Sequence, residues 1–157
     1  MIELTAQDRL DIIELQSIFA WALDTKDPEL FARAFTEDFE AQYPGGTTIR
    51  GRDAFARFTL AVHESHDATQ HLIANHWLLP EEDAVIMRSY VILSVLWKGC
   101  PGGDLFQGGA YYVDRVVRTD AGWRIATRSA NRIWQSGNME ILLSGRREAD
   151  AHLPSSP

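Results

Sequence analysis

The segment TQHLIANHWLLPEEDAVIMRSYVILSVLW, residues 69–97, reads as two long β-strands joined by one sharp turn. Its apolar and β-branched runs are interrupted by the polar sequence Pro80-Glu81-Glu82-Asp83, which is typical of a turn. Strands joined by so short a connection run antiparallel. The strands predicted in this half of the chain cover residues 69–79, 85–97, 107–119 and 123–136. The second half of the chain is therefore expected to form an antiparallel sheet.

The first part of the chain has the pattern of helices. Thr5 and Asp8 have the spacing of a capping box, and the apolar residues that follow recur at helical spacing as far as Asp24. A second helix is predicted to begin at residues 27–29, the sequence Asp-Pro-Glu, and a third after Gly51. Between these two helices, a short hairpin with its turn at residues 44–46 is expected.

Helices followed by long, hairpin-connected strands favour an α+β fold. We expect a curved, cone-shaped antiparallel or mixed sheet that wraps around the N-terminal helices as an α+β barrel and encloses a pocket. Residues 1–145 are predicted to form this single domain. Residues 146–157, RREADAHLPSSP, show no periodicity and are predicted to be a flexible tail.

The composition argues against several classes of partner and cofactor. The formal net charge is −7 and the pI is about 5.1, whereas nucleic-acid binding needs clustered basic residues. The sequence contains no unbroken apolar run of about 18 residues and no secretory signal, so a cytoplasmic location without membrane contact is expected. A single cysteine, Cys100, cannot form an internal disulfide, and no third ligand is evident beside His63 and His66, so no metal site is predicted.

Two histidines, His71 and His76, lie five positions apart in the first long strand. Strand side chains alternate between the two faces, so residues an odd number apart do not share a face unless a bulge intervenes. Alternation therefore places His71 with Asn75 on one face and His76 on the other. His63 and His66, near the end of the third helix, are expected to lie in solvent.

The last predicted strand has one apolar and one basic face. Alternation over GWRIATRSANRIW, residues 122–134, places Ser129 and Asn131 on the buried face and turns Arg128 outward. Small polar side chains on a buried face need a partner or a ligand. For Tyr111, alternation leaves open whether the ring lines the pocket or fills the sheet.

Four segments, in this order, resemble the SnoaL-like branch of the nuclear-transport-factor-two-like superfamily. They are ALDTKD at the end of the first helix, TQHLIANH at the start of a strand, GGAYYVD in a later strand and GWRIATRSAN in the last. The resemblance extends to about residue 138 and is most detailed toward scytalone dehydratase and hexachlorocyclohexane dehydrochlorinase. It implies the same cone-shaped fold, with subunits that associate through their sheets as dimers or trimers.

The resemblance also implies a catalytic site. In that family an aspartate at the end of the first helix hydrogen-bonds a histidine that transfers the proton, and these positions correspond to Asp24 and His71. A tyrosine that helps to hold a water against the substrate carbonyl corresponds to Tyr43. The pocket-lining serine and asparagine of the last strand correspond to Ser129 and Asn131. Further substrate contacts are expected from Phe19, Trp21, Asn75 and Tyr111.

The chain departs from the family pattern at several positions. Leu23 stands where scytalone dehydratase has a tyrosine, and Gly109 or Ala110 stands where its second histidine is expected. Other relatives have a lysine or tyrosine in place of Phe19. The departures preserve a proton-transfer dyad but remove a second acid. Arg128, by contrast, matches an arginine of the dehydrochlorinase.

A neutral imidazole that donates one N–H to a buried carboxylate is held in one tautomer and suits a general base near neutral pH. We therefore expect a cofactor-independent lyase that acts by dehydratase-like β-elimination on a small, hydrophobic, oxygenated metabolite. Two alternatives remain: an isomerase or a polyketide- or terpenoid-type cyclase with the same dyad, and a non-catalytic module that binds a small ligand.

Overall fold

The structure is a computed structural model that describes residues 1–43 and 45–150. The helices are α1 (Ala6–Asp24), α2 (Glu29–Ala34), α3 (Arg52–His63) and α4 (Glu140–Asp150). The strands are β1 (Phe35–Gln42), β2 (Thr48–Arg50), β3 (Ala68–Pro80), β4 (Val85–Leu96), β5 (Leu105–Thr119) and β6 (Gly122–Gly137). The predicted N-terminal helices and long strands are all present, with ends close to those expected.

Local sequence explains where the first two helices begin. The Thr5 hydroxyl accepts a hydrogen bond from the N–H of Asp8, and the Asp8 carboxylate accepts one from the N–H of Thr5. The predicted capping box is therefore confirmed. At the start of α2, Asp27 accepts a hydrogen bond from the N–H of Glu29. No helix within residues 1–43 or 45–150 combines the length and apolarity needed to cross a membrane.

The strands form one sheet in the order β2-β1-β6-β5-β4-β3. All neighbours are antiparallel except β1 and β6, which run parallel. The sheet is therefore mixed, and it stays open because β2 and β3 lie at its two edges. The predicted α+β class with a cone-shaped sheet around the N-terminal helices is confirmed, although the sheet does not close into a complete barrel.

A bulge in β3 changes which side chains face the helices. Two residues lie between Ala74 and Trp77, whereas their partners on β4 are separated by one. Asn75 adopts a φ of 58°, in the left-handed region that asparagine tolerates. Asn75 is exposed, and His76 is half-buried on the same side as His71. The predicted placement of Asn75 beside His71, with His76 opposite, is therefore wrong because the bulge reverses the alternation.

A second bulge lies in β6. One extra residue follows Ile125 relative to the register with β5, which reverses the alternation as far as Arg132, where a second extra residue, Ile133, restores it. Arg128 is only 3% exposed and pairs across the ladder with the fully buried Asp114. The expectation that Arg128 turns outward while Ser129 faces inward is wrong for this reason.

A cluster of phenylalanines fills the space between the concave face of the sheet and the helices. Its buried members are Phe19, Phe31, Phe35, Phe39 and Phe55, which come from α1, α2, β1 and α3. Neighbouring ring centroids lie between 4.5 Å and 6.1 Å apart, in mostly tilted or edge-to-face contacts. This packing fixes α1 against the sheet, so that the end of α1 meets the start of β3.

The helix α4 was not expected from the sequence. It packs on α3 at Gly145, where a Cβ atom would lie 2.1 Å from the carbonyl oxygen of Val62. Its residue Ile141 is fully buried beside Val95 and Phe106. Residues 146–150 therefore continue a helix and are not part of a flexible tail as predicted. The rest of the predicted tail, residues 151–157, lies outside the described residues.

Candidate active site

Two adjoining pockets, each of about 260 Å³, lie between the concave face of the sheet and the helices. The first lobe extends along β5 and β6, and the second lies between α1, α3 and α4. The residues that line both lobes are Phe19, Tyr43, Leu93, His71, Tyr112, Arg132, Leu142 and Arg146. The two lobes therefore form one cavity, and none of its described lining residues is an aspartate or a glutamate.

The predicted pair of Asp24 and His71 is formed at the junction of the lobes. His71 Nδ1 lies 2.6 Å from Asp24 Oδ1, and the backbone N–H of His71 donates to Asp24 Oδ2 at 2.9 Å. The Thr69 hydroxyl donates to Asp24 Oδ1 at 3.0 Å. Asp24 thus holds both the ring and the backbone of His71, and Nε2 is the ring nitrogen left for the cavity.

The carboxyl group of Asp24 remains ionised in this setting. Burial works to raise its pKa, but the hydrogen bonds from His71 and Thr69 and the charge of His71 outweigh that effect. The pKa of Asp24 therefore lies below its ordinary value. An ionised Asp24 accepts the proton on His71 Nδ1, which keeps the neutral imidazole in the tautomer with a lone pair on Nε2.

A buried ion pair lies at the end of the first lobe. Arg128 donates from Nε and Nη2 to the two carboxylate oxygens of Asp114, at 2.8 Å and 2.7 Å. Gln16 bridges the pair, accepting from Arg128 at 2.8 Å and donating to Asp114 at 2.6 Å. The guanidinium carbon lies 4.1 Å from the ring centre of Tyr112 and 4.4 Å from that of Phe19. Arg128 Nη1 is buried and has no hydrogen-bond partner among the described residues.

Tyr43, the tyrosine expected to help polarise substrate, lines both lobes. Its ring packs 6.1 Å from that of Phe58, and burial raises the pKa of its hydroxyl above the ordinary value. Burial also raises the pKa of Tyr112. Both hydroxyls therefore keep their protons near neutral pH and can act as hydrogen-bond donors.

The other residues expected to contact substrate divide into two groups. Phe19 lines both lobes, and Asn131 lies on the edge of the first. The Asn131 amide, however, donates to the backbone and hydroxyl oxygens of Ser129, which does not line either lobe. Trp21 is 64% exposed and Tyr111 is 38% exposed, both outside the cavity walls.

Asn75 is exposed beyond the bulge in β3 and lies outside both lobes. The structure thus brings together His71, Asp24, Tyr43 and Phe19 of the predicted residues. It leaves Trp21, Asn75, Tyr111 and Ser129 away from the cavity, with Asn131 at its margin.

Two buried histidines of the site were misplaced by sequence reasoning. His63 is 6% exposed and His66 is 3% exposed, so the expectation that they lie in solvent is wrong. The helix α4 covers them, and α4 itself was not predicted. Burial and the neighbouring His71 and His66 lower the pKa of His63 to about 3, so His63 is neutral near neutral pH.

These features define a class of protein with an open, cone-shaped mixed sheet that folds over helices and holds a His-Asp pair in an apolar cavity. Residues 4–129 match the family of SnoaL-like domains, and the chain belongs to this family, as the sequence resemblance implied. A search of curated proteins finds no match to the chain.

Several solved structures share the fold. A protein of Novosphingobium aromaticivorans named for an aromatic ring hydroxylase is 26% identical, with a TM-score of 0.77 over 89% of this chain and 99% of its own. A second protein of that organism, named for scytalone dehydratase, is 22% identical, with a TM-score of 0.73 over 85% and 92%. A hexachlorocyclohexane dehydrochlorinase, LinA type 2, is 20% identical, with a TM-score of 0.71 over 85% and 93%. These likenesses place the chain on a scaffold that carries elimination enzymes among other proteins.

Proposed function

We propose that the protein is a cofactor-independent lyase that removes water by β-elimination from a small, largely apolar molecule with a carbonyl group. The observation that carries this proposal is the 2.6 Å hydrogen bond between His71 Nδ1 and Asp24 in the wall of the cavity. Two similar structures bear the names of a dehydratase and a dehydrochlorinase, which are both elimination enzymes. A ligand-binding module without chemistry has no need for a half-buried carboxylate behind a pocket histidine.

In the first step, His71 Nε2 removes a proton from the carbon next to the substrate carbonyl. Asp24 supports this step because it stabilises the imidazolium that forms and holds the ring in one orientation. Positioned proton transfer of this kind contributes about a hundred- to ten-thousand-fold to a rate.

Negative charge develops on the carbonyl oxygen as the proton leaves. Arg128 Nη1 is a buried donor without a described partner, and it belongs to a fixed cation in the wall of the first lobe. The Tyr43 hydroxyl is a second donor, alone or through a water. Donors placed in advance where charge develops lower the barrier of such a step.

The second step completes the elimination without another acid. The electron pair left on the carbon forms the double bond, and the hydroxyl group on the neighbouring carbon departs. The proton on His71 Nε2 passes to that hydroxyl, which leaves as water and restores the neutral imidazole. This sequence explains how one histidine can serve where scytalone dehydratase has two.

An isomerase is the second candidate, since the same dyad can return the proton to a different carbon of the substrate. A cyclase would use the same proton removal to form a carbon–carbon bond. The three reactions differ in the mass of the product, because only dehydration lowers it by one water.

The test is a panel of β-hydroxy ketones on aromatic and alicyclic rings, with products followed by mass spectrometry. We expect the wild-type protein to dehydrate at least one of them, and Asp24→Asn to slow this reaction by about a hundredfold or more. Asp38→Asn is the matched control, since Asp38 is an exposed carboxylate of β1 outside the cavity. Equal rates for the wild type and Asp24→Asn would contradict the mechanism.

A further inference from the structure

The buried histidines His63 and His66 form a chain of hydrogen bonds that ends in the second lobe. His66 Nε2 lies 3.1 Å from the carbonyl oxygen of Ile141, and His66 Nδ1 lies 3.2 Å from His63 Nδ1. The ring of His63 lies 5.6 Å from that of His71, nearly perpendicular to it. Both His63 and His71 line the second lobe.

The hydrogen bonds limit where the protons of this chain can lie. A carbonyl oxygen can only accept, so His66 Nε2 carries a hydrogen. The contact between the two Nδ1 atoms admits two arrangements, because either ring can donate to the other. With a neutral His66, its Nδ1 accepts and His63 donates from its own Nδ1. Burial lowers the pKa of His63 to about 3, so this ring carries a single proton near neutral pH. In that arrangement His63 Nε2 is left with a lone pair.

The lining of the second lobe combines apolar and polar side chains. Leu23, Phe58, Val62 and Met139 are apolar, whereas Thr59, Tyr43 and Tyr112 carry hydroxyl groups. No aspartate or glutamate occurs among the described residues that line this lobe, and two arginines do. A cationic donor such as an ammonium group is therefore disfavoured, whereas a neutral hydroxyl group suits a lone pair in apolar surroundings.

We propose that His63 Nε2 is a hydrogen-bond acceptor that selects substrates bearing a hydroxyl group at the end that enters the second lobe. His63 is then a specificity-determining residue, while His71 acts as the base. The inference rests on the proposed function only in that it assigns a substrate feature to the same cavity. The substrate class becomes a hydroxylated, largely apolar carbonyl compound, with its reacting carbon at the junction of the lobes.

The proton positions can be measured on the wild-type protein without any substrate. Long-range proton–nitrogen correlation spectra of ¹⁵N-labelled protein at pH 7 report which nitrogen of each imidazole carries hydrogen. We expect His63 to be neutral with its hydrogen on Nδ1, and His66 to carry its hydrogen on Nε2. Assignment follows from the signals lost in His63→Gln. Hydrogen on His63 Nε2, or on both of its nitrogens, would overturn the proposal.

The binding preference can be measured with 1-naphthol and its methyl ether, 1-methoxynaphthalene, as a probe pair. Loss of one neutral hydrogen bond corresponds to about a fivefold change in affinity, so we expect His63→Phe to reduce the preference for 1-naphthol by about that factor. His63→Gln keeps an acceptor near the position of Nε2 and is expected to retain most of the preference. An unchanged preference in His63→Phe would contradict the proposal.

These measurements separate the two proposals. If the His63 tautomer and the naphthol preference are as expected but no elimination activity depends on Asp24, only the lyase proposal fails. If elimination depends on Asp24 but His63 carries its hydrogen on Nε2, only the present inference fails.

Discussion

Arg128 holds a charge inside the protein and lines the first lobe of the cavity. Burial alone would lower the pKa of the guanidinium, but its pairing with Asp114 raises it, so the charge is retained. Two of its nitrogens are used by Asp114 and Gln16, and the third, Nη1, has no described partner. In the proposed mechanism, Nη1 is the donor assigned to the substrate oxygen.

Replacing Arg128 by methionine is expected to destabilise the protein strongly. The change leaves Asp114 fully buried without its cation, and breaking a buried pair in this way costs about 3–5 kcal/mol. In the double variant Arg128→Met with Asp114→Leu, both charges are absent, so most of the lost free energy of unfolding should return. Urea unfolding of the three proteins measures these differences. A double variant no more stable than Arg128→Met would show that the uncompensated charge is not the cause.

At the level of single residues, part of the candidate site can be predicted from the sequence. Asp24 and His71 could be paired because their positions match a family pattern. The burial of Arg128 and of His63 could not be predicted from strand alternation or from the position of a residue in its helix. Arg128 lies beyond a bulge, and His63 is covered by a helix that is distant in sequence. The match of Arg128 to an arginine of the dehydrochlorinase was the sequence feature that indicated an inward-facing side chain.

The secondary-structure elements themselves follow the sequence closely, while their irregularities do not. Capping residues and turn sequences predict where α1, α2 and the long strands begin and end. Alternation, however, assumes an uninterrupted register, and one extra residue in β3 or β6 reverses the side chains that follow it up to the next bulge. The helix α4, which begins at Glu140, was missed because its second half lies in the segment RREADAHLPSSP, which shows no periodicity.

Gly145 provides a test of how α4 is held. Helix propensity alone favours alanine over glycine by about 1 kcal/mol, so Gly145→Ala would stabilise an isolated helix. In the protein the added Cβ would meet the Val62 carbonyl oxygen at 2.1 Å. Overpacking of this kind costs about 1–3 kcal/mol, so we expect a net loss of stability on denaturant unfolding. A gain in stability would mean that α4 does not pack on α3 as described.

For the whole molecule, the outer face of the sheet carries a block of exposed apolar side chains. Leu72 pairs with Ile92 across β3 and β4, and Tyr90 pairs with Tyr111 across β4 and β5. These side chains are between 38% and 56% exposed. A contiguous apolar patch of this kind is typical of an interaction surface.

We propose that a second copy of the chain covers this face, in line with the dimers or trimers implied by the sequence resemblance. Light scattering coupled to size exclusion should then give an oligomer for the wild type. A variant combining Tyr90→Glu with Ile92→Lys should be monomeric with unchanged circular dichroism, since both side chains point away from the cavity. A monomeric wild type at micromolar concentration would contradict the proposal.

The central claim is that His71, held by Asp24, removes a proton from carbon, and a deuterium label on that carbon tests it most directly. With a compound that the wild type dehydrates, deuterated on the carbon next to the carbonyl, the rate at which the carbon loses its deuterium is followed by NMR. His71→Gln should lower this rate by about a hundred- to ten-thousand-fold. His76→Gln, which changes a histidine of the same strand outside the cavity lining, should keep the wild-type rate. Loss of deuterium at the wild-type rate in His71→Gln would contradict the account.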